Sequence, residues 1–142
     1  MSGYNGKIME SRTAVPPNLF DGIRIGIGTW QWGDRVYWGY GRDYQLDDIL
    51  AAMDSCFQNG LIFFDTAEVY GMGLSENIIG QVLKKNKRLA IIASKFMPFP
   101  WRLRRSSLIS ALKKSLQRLQ IEKLDLYQLH FPFPPLNIET WM

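Results

Sequence analysis

The residue types best suited to chemistry are an acid, a phenol, an amine and an imidazole. Asp65 closes the run LIFFD, Tyr70 follows five residues later, Lys95 closes LAIIASK and His130 closes LDLYQLH. Three of the four end apolar, strand-like runs, and in a barrel such strand ends converge around one mouth. Meeting there, the four side chains would form a proton-transfer site. An ordinary tyrosine, with a pKa of ~10, is badly matched to proton transfer near neutrality. A lysine cation within ~4–6 Å favours the phenolate and improves the match. Asp65 would keep that lysine charged and oriented, because an unpaired ammonium in a dry pocket is costly. His130 would donate a hydrogen bond to a substrate carbonyl oxygen and orient it, and Tyr70 would protonate the developing alkoxide. None of these groups carries a hydride, so a redox cofactor must supply it.

The elements that would position these groups alternate along the chain. Ile23–Trp30, Leu61–Asp65, Leu89–Lys95 and Leu124–His130 are short and densely apolar, the pattern of strands covered on both faces. Three helical stretches separate them. The first places Leu46, Ile49, Leu50, Met53 and Phe57 on one stripe, with Asp47 and Asp48 near its positive end and Asn59-Gly60 as a stop. The second begins near Ser75 and Glu76 and carries Ile78, Ile79, Val82 and Leu83. The third aligns Leu108, Ala111, Leu112, Leu116 and Leu119, with Lys113, Lys114 and Arg118 opposite and Ser106 or Ser107 as N-cap.

The order is therefore strand–helix repeated three times and closed by a fourth strand, an α/β pattern of parallel strands joined by right-handed crossovers. A doubly wound open sheet and a (β/α)₈ barrel (TIM barrel) both fit that order. Neither a G-x-G-x-x-G fingerprint nor a P-loop follows any strand, and Gly26 and Gly28 lie within or at the end of the first strand. The expectation is the barrel, of which these 142 residues would supply the N-terminal half, since a full barrel takes about 250 residues. Residues 1–18 read as a polar lead-in and residues 19–142 as the half-barrel. The Pro-rich run Phe131–Pro135 reads as a loop and Asn137–Met142 as the start of a fourth helix.

Composition narrows the function classes. No apolar run approaches the ~18–20 residues of a membrane span, and the opening segment lacks the apolar region of a secretory signal. The single cysteine, Cys56, rules out an internal disulfide framework and any multi-cysteine metal site, and its neighbours place it on a buried helix position. No metal is expected, and a reducing compartment, cytoplasmic or plastid stromal, fits best. The net charge of +4 is mild. Lys84–Arg88 reads as a solvated helix end, and the basic, Trp-bearing stretch Trp101–Arg105 as solvent-facing arginines in preference to a nucleic-acid patch.

Beyond the four candidate groups, several runs form a larger pattern. Asp65-Thr66-Ala67-Glu68-Val69-Tyr70-Gly71 precedes Gly73-Leu74-Ser75-Glu76, while Gly28-Thr29-Trp30 follows the first strand, Ser94-Lys95 the third, and Asp125–His130 makes the fourth. Together, from about Ile23 to His130, they resemble the aldo-keto reductase family, with wording most similar to its plastid and cyanobacterial members. The resemblance implies Tyr70 as general acid supported by Lys95 and Asp65, with His130 orienting the carbonyl. It implies contact between Gly28, Thr29, Trp30 and Asp65 and the nicotinamide end of NADPH, and reduction of aldehydes or ketones. Family members hold most of the dinucleotide with the second half of the barrel, so the 142 residues alone are expected to be inactive. A non-catalytic half-barrel that pairs with a complementary one, and a decayed remnant, are the alternatives. The expected partner is a small carbonyl compound, with no nucleic acid and no membrane. Trp30, Trp32, Trp38 and Trp101 would either line an apolar substrate pocket or pack against one another.

Overall fold

A computed structural model of the chain describes residue 18, residues 20–86 and residues 89–131. Most of the polar lead-in, the Pro-rich run beyond Phe131 and the start of a fourth helix lie outside the described residues. Four strands, β1 (Ile27–Gly28), β2 (Phe63–Asp65), β3 (Ile91–Phe96) and β4 (Leu126–Leu129), alternate with three helices, α1 (Leu46–Gln58), α2 (Leu74–Asn86) and α3 (Arg105–Leu119). Every pairing is parallel, and the sheet order β1-β2-β3-β4 follows the chain. A doubly wound sheet reverses its strand order at a switch point, whereas an unbroken arc of successive strands is barrel topology. The helices share one face: Ile49 and Met53 of α1, Ile79 of α2 and Leu119 of α3 meet Phe64 and Ile92 in a single core. Among the described residues, no helix is long and apolar enough to cross a membrane.

Strand alternation then sorts the side chains. Phe64 pairs with Ile92, Asp65 with Ala93 and Lys95 with Gln128. Phe64, Ile92 and Phe96 are buried in the helix-side core clusters, so Asp65, Lys95, Gln128 and, two residues on, His130 belong to the opposite face. The helical caps are of mixed quality. At α1 the Gln45 amide donates to Asp48 Oδ2 at 2.7 Å, and Gly60 follows the C-cap Asn59. Between α2 and α3 a Cβ on Gly80 would stand 2.5–2.6 Å from the backbone of Arg118 and Leu119, so only glycine lets the two helices approach this closely.

Two buried hydroxyl and carboxylate networks tie the helices to the strands. The Ser75 hydroxyl donates to the Thr29 carbonyl at 3.0 Å and accepts from Thr66 Oγ1 at 3.1 Å, with all three residues fully buried. Glu76 accepts from Ser94 Oγ at 2.6 Å on one oxygen and from Arg118 Nε at 2.6 Å on the other. A carboxylate with zero exposure is tolerable only with such partners.

Several sequence expectations need correction. The strands are shorter than their apolar runs, β1 most of all, because β1 hydrogen-bonds only through Ile27 and Gly28 while Arg24–Gly26 are exposed. Only β3 is covered on both faces; β4 is half-buried throughout. Neither Ser106 nor Ser107 caps α3, which starts one residue earlier behind Arg104, without a side-chain cap. Its deepest positions are Ala111, Ser115 and Leu119, with Leu112 and Leu116 half-buried, so the inward stripe is rotated towards Arg118. Arg118 itself turns in to Glu76 instead of facing solvent.

Candidate active site

The C-terminal ends of β2, β3 and β4 bring the four candidate groups together. Lys95 Nζ, with its side chain 13% exposed, donates to Asp65 Oδ1 at 2.7 Å and to the Thr66 carbonyl at 2.9 Å. Its third direction points at Tyr70 Oη, 3.4 Å away, and the ammonium lies 5.0 Å from the centre of the Tyr70 ring. The rings of Tyr70 and His130 meet edge to face, 5.5 Å between centroids. The strand ladder holds His130 in place, because its N–H donates to the Phe96 carbonyl at 2.9 Å. Backbone bonds likewise place the loop after β2: Thr66 N–H donates to Ala93 O at 2.9 Å and Tyr70 N–H to Ala67 O at 3.1 Å.

Tyr70 owes its position to a tight, locally unfavourable turn. Gly71 and Met72 both adopt left-handed backbone angles, with φ of 55° and 58°. At Gly71 a Cβ would stand 2.7 Å from the Gly33 carbonyl, so the glycine both permits the turn and lets the Tyr70 loop sit on the loop after β1. That neighbouring loop is organised by Asp34, whose Oδ1 accepts from the amides of Val36 at 3.0 Å and Tyr37 at 2.7 Å.

The imidazole and the tyrosines of this region differ in electrostatic setting. Burial, and secondarily Lys95, holds the proton affinity of His130 below that of ordinary histidine, against the opposite pull of Asp65 and Glu68. The ring is therefore neutral at neutral pH, and its Nδ1 is buried without a partner among the described residues. Burial drives the phenol of Tyr127, on the helix side of β4, well above its ordinary value, helped by Glu68 and Glu76. Tyr127 thus stays protonated and takes no part in proton exchange at the rim.

The expected cofactor-contact residues separate by burial. Gly28 is exposed, and nothing lies within 4 Å of where its Cβ would be. Trp30 is half exposed, with its ring 6.5 Å from that of Tyr70 and 5.6 Å from that of Trp38. Thr29 is fully buried, and its hydroxyl donates to the Asp65 carbonyl at 3.2 Å. The four tryptophans do not act as a set: Trp32 is in the core against Phe64, and Trp101 is exposed and stacked on Phe99.

Three residues in or beside the site were given no role from sequence. Gln128 donates to Asp65 Oδ1 at 3.3 Å. Its signal was present, since it shares a strand face with His130 two residues on. Glu68 and Arg102, the latter expected to face solvent, form a two-pronged pair at 2.7 and 3.1 Å, with side-chain exposures of 10% and 20%. Both lie in loops, where periodicity carries no information.

Comparison with known proteins gives the family. The sequence model of the Aldo/keto reductase family matches residues 24–142. The chain belongs to that family. It is 38% identical over 118 residues to the chloroplastic pyridoxal reductase of Arabidopsis thaliana, an alignment covering 75% of this chain and 32% of that protein. It is 33% identical over 135 residues to the aldo-keto reductase YhdN of Bacillus subtilis, covering 89% and 40%. Among solved structures, an aldo-keto reductase from Klebsiella pneumoniae in complex with NADPH superposes with a TM-score of 0.66 at 28% identity, over 82% of this chain and 37% of that one. The chain thus spans about a third of the length of the curated relatives it matches, and its four-stranded arc is the N-terminal half of their barrel.

Proposed function

We propose that this chain carries the proton-transfer site of an oxidoreductase that reduces aldehyde or ketone carbonyls to alcohols with NADPH. The observation that carries the reading is a single ammonium, Lys95 Nζ, placed 2.7 Å from a carboxylate and 3.4 Å from a phenol oxygen, with an imidazole edge on the same phenol ring. In this reading Tyr70 delivers the proton to the carbonyl oxygen. Lys95 stabilises the negative charge left on the phenol, and Asp65 keeps Lys95 fixed. His130, neutral, orients the carbonyl by a hydrogen bond.

The residues present fit the nicotinamide end of the cofactor. Gly28, with open space where a Cβ would stand, pairs with Asp65 in the sheet, and the indole of Trp30 two residues on is half exposed. Gly28, Trp30 and Asp65 would line the nicotinamide site, with Thr29 fully buried beneath them, its hydroxyl and both backbone polar groups already bonded within the fold. When bound, the cofactor supplies the hydride. The family likeness and the NADPH complex of the Klebsiella relative support the choice of NADPH. Residues 19–142 then belong to one barrel domain in which the catalytic half depends on the remainder for the rest of the dinucleotide. A reducing compartment, cytoplasm or plastid stroma, suits the free Cys56.

The decisive experiment is Tyr70→Phe in the full protein. Carbonyl-dependent NADPH oxidation should fall by about 10²–10⁴-fold while NADPH affinity is retained. Undiminished turnover overturns the assignment.

A further inference from the structure

We infer that the Glu68–Arg102 ion pair is a positioning element of the reaction, setting the spacing between Tyr70 and Lys95 from outside the site; the inference rests on the reading just given. Tyr70 and Lys95 approach from two different segments, and the segment bearing Tyr70 has little local reason to hold its shape. Gly71 and Met72 follow Tyr70 in left-handed conformations, and a non-glycine residue there is disfavoured. Something outside the turn has to hold it.

Glu68 and Arg102 do so by grasping both backbone polar groups of one residue beyond Lys95, Met97, and so two successive peptide units. Glu68 Oε1 accepts from the Met97 N–H at 2.7 Å, and Arg102 Nη1 donates to the Met97 carbonyl at 3.1 Å. The two side chains close the loop on each other through both carboxylate oxygens. The guanidinium is seated 4.4 Å from the ring centre of the fully buried Phe96, the residue between Lys95 and Met97. One short stretch therefore anchors the backbone two residues before Tyr70 to the backbone two residues after Lys95. The Glu68 N–H adds a 3.4 Å bond to the Lys95 carbonyl. Arginine is required for the geometry: a lysine keeps the charge but not the planar fork.

The hydrogen bonds that Glu68 and Arg102 make with each other and with Met97 act on placement, and Arg102→Lys, which keeps both charges, separates that effect from the pull of the Glu68 charge on His130. A displacement of ~1 Å at a reacting group costs on the order of 100-fold in rate. The test compares Arg102→Lys, Arg102→Met and Glu68→Gln in the full protein, with kcat and KM for a small aldehyde and the Lys95 ammonium signal in nitrogen-15 NMR spectra. The expected result is a kcat lowered by about 10–100-fold with KM within about twofold, and a Lys95 ammonium signal that broadens or shifts. Arg102→Lys, which perturbs packing least, guards against loss of folding and should lower kcat with an unchanged circular dichroism spectrum. A kcat within twofold of the parent, a KM that rises in step with lost stability, or an unmoved Lys95 signal in folded variants overturns the inference. The NMR measurement reads the Lys95 environment whether or not the carbonyl-reductase reading holds, and that reading stands or falls separately on Tyr70→Phe.

Discussion

Two ion pairs of nearly equal length sit in opposite settings in this molecule. Arg118 and Glu76 meet at 2.6 Å between α3 and α2, and Lys95 and Asp65 meet at 2.7 Å at the strand ends. Glu76 is sealed: it has no exposed side-chain surface, and each oxygen has its own donor, Ser94 on one and Arg118 on the other. Asp65 is about one-third exposed, and two donors, Lys95 and Gln128, share one oxygen. Lys95 spends two bonds on Asp65 and Thr66 and aims the third at a phenol 3.4 Å away, a long and slack approach. A fully satisfied buried pair holds elements together and has no capacity to change. A partly exposed pair in which Lys95 and Gln128 share one carboxylate oxygen is not sealed in the same way. Satisfaction, rather than charge or distance, separates brace from site.

The comparison can be broken most forcefully at the brace. Glu76→Ala leaves Arg118 and Ser94 without their acceptor inside the fold and should cost about 3–5 kcal/mol, seen as a lower midpoint in urea unfolding. A loss below about 1 kcal/mol would show that the sealed pair holds little. Asp65→Asn should do the reverse, with unfolding changed by only about 1–2 kcal/mol because the pair is partly solvated. Carbonyl reduction by the full protein should fall about 100-fold as Lys95 loses its fixed counter-charge. Equal effects of the two substitutions on stability would erase the distinction. Ser75→Ala removes the hydroxyl that links Thr29 and Thr66 and should destabilise by about 1–2 kcal/mol, measurable by the same titration, with kcat unaffected once the protein is folded.

The smallest effect sharpens the comparison through pH. Folding lowers the proton affinity of His130 by burial and by proximity to Lys95, so the unfolded chain takes up that proton first as the solution is acidified. The histidine therefore leaves stability intact above its ordinary pKa of about 6.5 and subtracts from it as pH falls through that value towards the lower one of the folded state. Thermal melts of the parent chain and His130→Gln should diverge below pH ~6.5 and run parallel above it. Parallel curves throughout would place His130 in a more solvated setting than the one described.

Legibility in the sequence followed the physics of each signal. The β-α alternation and the cores of α1 and α2 were readable because burial imposes a period, and Ile49, Met53, Ile78 and Ile79 obey it. Strand lengths were not, since an apolar run such as Ile23–Trp30 says what can be buried and not how many residues find a hydrogen-bonding neighbour. In α3 the stripe of leucines concealed that Ser115 and Arg118 turn inward, because Glu76, the partner of Arg118, is 42 residues away in the chain, and Arg118 in turn donates to Ser115. Trp32 and Trp38 look alike in sequence, yet one is buried against Phe64 and the other half exposed beside Trp30. Arg102 looked like a surface charge because nothing local reveals Glu68 as its counterion.

The order of residues alone determined which groups are available at the ends of the strands and that parallel strands would present them together. It did so because side-chain period and strand–helix alternation are local properties that a chain cannot hide. Tertiary structure alone decided which charges are paired, which oxygens are shared, and which backbone groups beyond Lys95 the Glu68–Arg102 pair holds. Those depend on distances between segments far apart in the chain, where a bond at 2.7 Å and a gap at 3.4 Å are set by packing and left unmarked in the sequence.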